Sequence, residues 1–326
     1  MAALEGRTGM NRRQWMACGL AAAGTACSRP ALKPWKRKEP VFVLRADSYG
    51  KELASEIRRA VEAAGIAVRG KNVVLKPNLV EFSRATAINT HPVFVAAVME
   101  ALLSLGAAQV RIGEGPGHRR DTWTLAEEAG YFEAIPRFED LFIDLNRDDV
   151  ERAGELGEWG PLWAPKTLLA ADLIVSLPKL KTHHWAGATL SMKNLFGTVP
   201  GSLYGWPKNV LHQYGIDPSI VKLAETYAAK TVAIVDGIVG MEGDGPIRGR
   251  PKQAGVIVAG ANLPAVDATC CRLMGIDPAR VRSLEMTQHL GPIGEPWIEQ
   301  RGERPETLRQ DFELIPMWSY LRAPKA

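Results

Sequence analysis

The sequence predicts an α/β fold with a mostly parallel sheet and helices on both faces, and the alternative is two α/β lobes around a crevice. Short β-branched runs alternate with helical patterns, an order that is typical of β-loop-α units. The chain has 326 residues, 46% of them hydrophobic, which is enough for one large core. The polar clusters fall after predicted strands, where the ligands of parallel sheets bind.

The elements follow in order along the chain. The first half predicts strands at residues 41–46, 73–79, 109–115 and 141–146, with helices at 51–64, from 92 and at 122–129. Residues 154–166 are rich in glycine and proline, which indicates a hairpin or another excursion from the repeating unit. Further strands are predicted at 173–180, 231–240 and 253–263, and Pro264 suits the first turn of a helix that runs to Met274.

Residues 1–27 are predicted to be an export signal. Arg12 and Arg13 directly precede an apolar run that is too short to cross a bilayer as a helix. The pair resembles a twin-arginine signal, which would engage an export machinery and give a periplasmic or exported protein. An ordinary secretory leader, or an amino end that happens to hold two arginines, is the alternative. Cys27 is a candidate lipoprotein anchor, the one membrane attachment that we expect. A linker at 28–40, the main domain at 41–292 and a tail at 293–326 complete the predicted division.

Composition excludes several classes of protein. The 40 Lys and Arg against 36 Asp and Glu leave a net charge of +4, and no basic stripe with interleaved aromatic residues indicates nucleic-acid binding. No C-x-x-C motif is present, so no iron–sulfur cluster is expected. Adjacent Cys270 and Cys271 lie in a predicted helix, where they favour core packing over a disulfide.

Lysines at strand ends predict a site for an anion. Lys76 ends an apolar strand, and a buried lysine there needs an anionic partner, either a bound phosphate or carboxylate or the carboxylate of Glu81 or Glu114. Lys179 and Lys181 alternate with His183 along an extended segment, so we expect the three side chains on one face. A helix from about Ala186 would bring in Lys193, a buried lysine suited to act as a base, a Schiff-base former or a cofactor anchor. The predicted contacts to an anionic substrate or cofactor are Lys76, Asn78, Gly113, Glu114, Gly115, Lys179, Lys181, Thr182 and Asn194.

Carboxylates cluster after the strand at 231–240. Asp236, Glu242 and Asp244 lie within nine residues and are separated by glycines. They would compensate the charge of the lysines or, as a sharper hypothesis, bind a divalent cation. Asp267, placed near the start of a helix, is expected to be stabilised by the helix dipole.

Six segments together resemble one family. They are VVLKPNLV, THP, IGEGPG, SLPKLKTHHWAGATLSMKNLFG, DGIVGMEGDGP and AVDATCCRLMG, and they run from Val73 to Gly275. The combination resembles the family catalogued as domain of unknown function 362. That resemblance implies an α/β domain and no particular activity.

A more distant resemblance is to nickel-pincer lactate racemases. The ten-residue separation of His183 and Lys193 is similar to that of a histidine and the cofactor-anchoring lysine in those enzymes. The resemblance implies a catalytic role for His118 in GPGHRR and a nickel-binding position for His212. The glycine pair that precedes the racemase lysine is replaced here by Leu190 to Met192.

These residues predict an exported enzyme that binds an anionic substrate or a nucleotide-derived cofactor. His183, Lys193, His118 and His212 are the predicted catalytic residues, and imidazole suits proton transfer near neutral pH. Racemase- or epimerase-like proton abstraction and a cofactor-dependent oxidoreductase are both open, with a nickel-pincer-like nucleotide or a divalent metal as the cofactor. A non-catalytic periplasmic ligand- or metal-binding protein is the alternative function, and a metal-dependent hydrolase is a third.

Overall fold

The frame of the fold is a mixed sheet. The computed structural model describes residues 34–117, 120–206 and 208–324. Their strands are β1 (Glu39–Arg45), β2 (Asn72–Pro77), β3 (Gln109–Glu114), β4 (Phe142–Asp144), β5 (Val150–Glu155), β6 (Pro161–Pro165), β7 (Leu173–Leu177), β8 (Lys179–His183), β9 (Gly187–Thr189), β10 (Thr231–Glu242), β11 (Arg250–Gly260) and β12 (Ile298–Gly302).

The central strands of the sheet are parallel. Within the described residues the order is β12-β1-β11-β10-β7-β2-β3-β4, with β8 beside β10 and β9 beside β8. The antiparallel pairs of this sheet are β1–β11, β10–β11 and β8–β9, and its other pairs are parallel. Strands β5 and β6 form a separate antiparallel hairpin where the sequence predicts an excursion. The predicted α/β class with a mostly parallel sheet is confirmed.

Helices cover the sheet. They are α1 (Leu53–Ala63), α2 (Pro92–Ser104), α3 (Thr122–Glu128), α4 (Tyr131–Ala134), α5 (Phe138–Leu141), α6 (Lys166–Ala170), α7 (Ser191–Asn194), α8 (Gly201–Tyr204), α9 (Asn209–Tyr214), α10 (Ile216–Tyr227), α11 (Leu263–Leu273), α12 (Arg282–Met286) and α13 (Pro305–Leu308). None of the described helices is both long enough and apolar enough to cross a membrane.

The alternation of side chains along the strands separates two cores. Successive residues of a strand point to opposite faces, so Val41 and Val43 join one hydrophobic cluster while Phe42 and Leu44 join the other. The first cluster contains residues of α10 and α11, and the second contains residues of α1, α2 and α3. Because both faces are covered, the central strands are apolar throughout, as the sequence shows.

One helix begins later than predicted. Residues 187–189 form β9, and α7 begins only at Ser191. The cause is distant in sequence: Asp267, buried on α11, accepts hydrogen bonds from Ser191 N at 2.8 Å and Met192 N at 3.1 Å. A carboxylate there satisfies amides that a new helix leaves free. Asp267 therefore fixes the start of α7, and the expectation that the dipole of its own helix explains it is wrong.

Part of the predicted tail belongs to the same sheet. Strand β12 pairs in parallel with β1, although the sequence gives no readable pattern there. Trp318 Nε1 donates to His184 O at 2.9 Å, which ties the carboxyl end to the loop after β8. Cys270 and Cys271 are buried and unpaired, as predicted. The predicted signal, with Arg12, Arg13 and Cys27, lies outside the described residues.

Candidate functional site

A cavity of about 330 Å³ lies where β2 and β3 end and β8 begins its turn into β9. Ligands of parallel sheets collect at such strand ends, because the loops that leave for the helices meet there. The cavity contains nine of the residues that the sequence predicts for the site: Lys76, Asn78, Glu114, Gly115, Lys181, His183, Lys193, Asn194 and His212. The strand-end argument therefore locates most of the wall.

Lys76 is the one cavity lysine here that a carboxylate neutralises. Its ammonium forms a buried ion pair with Glu114 and donates to Pro77 O at 2.8 Å. Glu114 also accepts from Leu79 N at 3.1 Å and from Gly115 N at 2.8 Å. Burial lowers the pKa of Lys76 and the charge of Glu114 opposes that shift. Of the partners that the sequence left open for Lys76, the structure selects Glu114.

Lys181 and Lys208 point their ammonium groups at backbone carbonyls. Lys181 Nζ donates to Ile88 O at 2.7 Å, and Lys208 Nζ donates to Gly115 O and, at 3.2 Å, to Phe196 O. Neither ammonium pairs with a carboxylate of the described chain. Burial lowers the pKa of Lys208 to about 7 and that of Lys181 well below its usual value, and neighbouring lysine charges add to both shifts.

Lys193 is the cavity lysine whose amine no described residue engages through a hydrogen bond or an ion pair. Its Nζ lies 3.4 Å from the centroid of the Phe196 ring. Burial lowers the pKa of Lys193 to about 7, and the positive charge of Lys76 adds to the effect. The amine is therefore about half protonated at neutral pH, and it is free to contact a molecule in the cavity.

His183 is held as a neutral hydrogen-bond donor. Its Nδ1 accepts from Trp185 N at 3.0 Å and Ala186 N at 3.2 Å, so the ring proton sits on Nε2. Protonating Nδ1 would set an N–H against two backbone N–H groups. Burial and then the charge of Lys193 lower the pKa of His183 well below 6.5. This histidine can donate to an oxygen atom of a ligand, but it has no free lone pair with which to act as a base.

His184 and His212 have the opposite tautomer. The Nδ1 of His184 lies 2.7 Å from Gly245 O, and that of His212 lies 3.2 Å from Lys208 O. A carbonyl oxygen only accepts, so each Nδ1 carries a proton, and the neutral form of this tautomer has its lone pair on Nε2. Burial, together with the charge of Lys193, lowers the pKa of His212. His212 is thus neutral at pH 7 and has a lone pair for a proton.

Three buried polar atoms of the wall have no hydrogen-bond partner in the described structure: Asn78 Oδ1, Thr189 Oγ1 and Asn194 Oδ1. The orientation of the Asn194 amide is fixed. Ser176 Oγ donates to Ser191 O at 3.0 Å, so it can only accept from Asn194 Nδ2 at 3.1 Å. The second Nδ2 proton goes to Lys76 O at 2.9 Å. Asn194 Oδ1 is therefore an acceptor without a donor in the described structure. A buried acceptor without a hydrogen bond lowers the stability of a protein by about 1–3 kcal/mol.

Lys179 does not face this cavity, contrary to the alternation argument. In register, Lys179 lies opposite Asp236 and Lys181 lies opposite Met241, so β10 bulges between the two pairs. Lys179 Nζ binds Asp236 at 2.5 Å and lies 3.1 Å from Tyr49 Oη. The bulge gives two lysines of one strand different surroundings.

Two other predicted ligands also lie elsewhere. Gly113 belongs to β3, where its Cα packs beside Leu145 and Val74. Thr182 Oγ1 donates to Gly243 O at 2.8 Å and does not line the cavity. Gly115, another predicted contact, lines the cavity, but its N–H already donates to Glu114. The predicted catalytic residue His118 lies outside the described residues.

The predicted carboxylate site for a metal does not assemble. Asp236 is fully buried against Lys179 and Tyr49, while Glu242 lies 3.2 Å from Lys252 Nζ. Asp244 is exposed to solvent and lies 4.0 Å from His184 Nδ1. Among the described residues no group of three or more His, Cys, Asp or Glu could hold a metal ion. Charge compensation, the other reading of these carboxylates, describes Asp236 and Glu242.

Sequence reasoning missed His184, Thr189 and Lys208 as cavity residues. Strand alternation would place His184 on the face opposite His183. The strand ends at His183, however, so both side chains reach the cavity. Lys208 has no readable signal, because it lies between two short helices and belongs to none of the sequence motifs. In the structure it takes a left-handed backbone conformation with φ 62°, which costs a residue with a side chain roughly 1–3 kcal/mol. Such strain is commonly found where a side chain is held for function.

Comparisons with known proteins give three results. A family model described as "Domain of unknown function (DUF362)" matches residues 73–272. A thylakoid-associated protein of Synechocystis sp. (strain ATCC 27184 / PCC 6803 / Kazusa) is 30% identical over 264 residues, which is 77% of this chain and 79% of that protein. The lactate racemase apoprotein from Thermoanaerobacterium thermosaccharolyticum is 14% identical with a TM-score of 0.45, and the match covers 74% of this chain and 58% of that one.

Proposed function

Because the chain belongs to the domain of unknown function 362 family, as its motifs predict, and that description states no activity, we propose a function from the site itself. The chain is an enzyme that binds a small anion carrying a hydroxyl or amino group and moves a proton between that molecule and a histidine. The observation that carries this proposal is the meeting of three lysines, none with a carboxylate partner in the described structure, and a free histidine lone pair in one cavity.

The charge of the cavity supports binding of an anion. Lys181, Lys193 and Lys208 each lose solvation there, and each lies close enough to another lysine for its pKa to fall further. A buried ammonium is stable only with a counter-charge, or else it loses its proton. A carboxylate or phosphate bound among the three would supply that charge and restore protonation.

The unpaired acceptors define a second property of the ligand. Asn78 Oδ1 and Asn194 Oδ1 need donors, which a simple carboxylate or phosphate dianion lacks. A hydroxyl or amino group beside the anionic group supplies them. A site built around such a bond discriminates strongly against an analogue without the donor, because the protein's own polar atoms then stay unpaired.

The histidine tautomers support proton transfer. His212 Nε2 accepts a proton from the ligand, while His183 Nε2–H and the lysine ammonium groups stabilise negative charge that develops on its oxygen atoms. A neutral histidine donor is suited to that task. Of the two cavity histidines with this tautomer we assign His212 as the base, because burial and the charge of Lys193 keep its ring neutral, and His183, which the sequence proposed for proton transfer, becomes the donor.

The pincer nucleotide that the sequence resemblance implies fits two groups of the cavity. The amine of Lys193 is free for attachment, and His212 Nε2 is free to bind nickel. Such a group would supply a Lewis-acidic metal centre. A nickel ion on His212 Nε2 would occupy the lone pair that accepts the proton, so the proton transfer proposed above belongs to the chain without this group.

The proposal includes a place of action outside the cytoplasm. The twin-arginine-like segment at residues 1–27 supports export, and the thylakoid association of the Synechocystis relative supports a location at or near a membrane. Fusing residues 1–40 to a reporter that is active only after export tests this. Replacing Arg12 and Arg13 with lysine should retain the reporter in the cytoplasm, and unchanged export would contradict the twin-arginine route.

Hydrogen exchange in D₂O tests the catalytic proposal without a known product. Glycolate, lactate, malate, glycerate and the matching amino acids are incubated with the full chain, and loss of the Cα proton signal is followed by NMR. We expect exchange with at least one compound, and a rate at least 10²-fold lower in His212→Gln with binding unchanged.

Calorimetry on the same compounds separates the outcomes. Binding of an anion without exchange in the wild type would overturn the enzyme in favour of a non-catalytic binding protein. Absence of binding by every compound would overturn the anion site as well. Acetate is the matched control for glycolate, since it lacks only the hydroxyl, and it should bind at least 10-fold more weakly.

A further inference from the structure

The four cavity lysines differ in what their amines contact. Lys76 is paired with Glu114, and Lys181 and Lys208 donate to backbone carbonyl oxygens. Lys193 has no acceptor among the described residues, yet its side chain lines the cavity. An amine already committed to hydrogen bonds must break them before it can attack a ligand. Only the amine of Lys193, among these four, starts free.

We propose that Lys193 is a nucleophile that forms an imine with small carbonyl compounds bearing an anionic group, 2-oxo acids above all. The inference rests on the anion-binding half of the proposed function, because the neighbouring ammonium groups would hold the carboxylate. It adds a covalent activity to the site, and it requires no metal or organic cofactor.

The surroundings of Lys193 favour the neutral amine that this attack needs. Burial and the charge of Lys76 lower its pKa to about 7, so about half of the molecules carry the free base at neutral pH. Lysines that are desolvated beside another cation are the usual amine nucleophiles of enzymes. An exposed lysine has its usual pKa near 10.4 and is almost fully protonated at pH 7.

The product is as well accommodated as the reactant. Lys193 Nζ lies over the Phe196 ring, whose face attracts cations. An iminium carries the same charge at the same nitrogen as the protonated amine, so this contact with the ring is available to the product. A carbinolamine intermediate carries a hydroxyl group, which is the donor that Asn78 Oδ1 and Asn194 Oδ1 lack.

The step balances without an added oxidant or reductant. The lone pair of Lys193 forms a bond to the carbonyl carbon, and the nitrogen passes one of its protons to the carbonyl oxygen to give the carbinolamine. The carbon–oxygen bond then breaks as the hydroxyl takes up one proton from solvent and leaves as water, and the nitrogen lone pair forms the carbon–nitrogen double bond of the iminium, which keeps the remaining N–H. His183 Nε2–H lines the same cavity and can assist the departure of that oxygen.

Reductive trapping tests the inference. The full chain is incubated with glyoxylate and cyanoborohydride at pH 7, and the modified lysine is located by peptide mass spectrometry. Hydride addition to the iminium leaves one carboxymethyl group per trapped amine. We expect one group per chain, on Lys193, formed at least 10-fold faster than on exposed lysines such as Lys51, and competition by glycolate.

The variants and a binding measurement make each outcome decisive. Lys193→Arg keeps a cation over Phe196 and should abolish the adduct, while Lys51→Arg, at an exposed lysine outside the cavity, should leave it on Lys193. Three results would overturn Lys193 as the nucleophile and leave the anion site intact. The carboxymethyl group could be distributed among lysines according to their exposure to solvent, it could appear on Lys208, or it could be absent although calorimetry shows that glyoxylate binds. Failure of glyoxylate, glycolate and inorganic phosphate to bind would instead overturn the proposed function.

Discussion

Two lysines of β8, only two residues apart, have different partners. Lys179 Nζ lies 2.5 Å from Asp236, a carboxylate that also accepts from Tyr49 Oη at 2.9 Å and from His91 N at 2.9 Å. Lys181 is equally buried but finds only carbonyl oxygens. The protein supplies the counter-charge for one lysine and leaves the other without it.

The difference separates a lysine that the protein itself pairs with a carboxylate from lysines that no described carboxylate neutralises. The Lys179 cluster has its hydrogen bonds satisfied within the protein, and the ring of Tyr49 stacks on His91 at 3.9 Å. Lys181, Lys193 and Lys208, in contrast, have no carboxylate partner in the described structure, and in the proposed function a bound anion takes that place. Both regions therefore contain buried lysines, and they differ in whether the protein supplies a carboxylate for the ammonium group.

The largest effect that tests this contrast is on stability. Asp236→Ala leaves the buried ammonium of Lys179 alone, and such a loss costs about 3–5 kcal/mol. Lys181→Met removes a buried amine that has no carboxylate partner, so the free energy of unfolding should stay equal or rise. Urea denaturation of both variants measures the difference. A similar loss in the two variants would break the distinction between the two regions.

A smaller effect is expected in the pH dependence of stability. Lys193 and Lys208 have a pKa of about 7 in the folded chain and 10.5 when unfolded, so above pH 7 the unfolded state binds more protons. The free energy of unfolding should therefore rise between pH 7 and pH 8, by about 1 kcal/mol for each lysine. Urea denaturation at several pH values measures the slope.

The double variant Lys193→Met with Lys208→Met should lose that slope, and a slope as steep as in the wild type would contradict the assignment. Titration of Asp267 changes the free energy of unfolding in the opposite direction, because burial raises the pKa of Asp267 to about 7. Its stabilising contribution is complete below pH 3.8 and declines as the pH rises to about 7, so the measurements on the lysines should begin at pH 7.

Local sequence patterns predict what depends on neighbours in the chain. Val73 to Leu75 and the other apolar runs are read correctly as strands, and strand ends locate Lys76, Glu114 and His183 in one cavity. Contacts between distant segments are not visible in that way. The start of α7 depends on Asp267, 76 residues beyond Ser191, and the separate position of Lys179 depends on a bulge in β10. Lys208 lines the cavity from a left-handed backbone conformation that the local sequence does not predict.

The central claim is that Lys181, Lys193 and Lys208 lack a counter-charge until a small anion binds. Calorimetry of glycolate binding at pH 7, repeated in buffers with different ionisation enthalpies, counts the protons that accompany binding. Lys193 and Lys208 are each about half protonated at pH 7, so an anion that raises both pKa values should draw in about one proton per site. Lys193→Met should reduce that uptake. Binding with no proton uptake, or uptake that Lys193→Met leaves unchanged, would contradict the account.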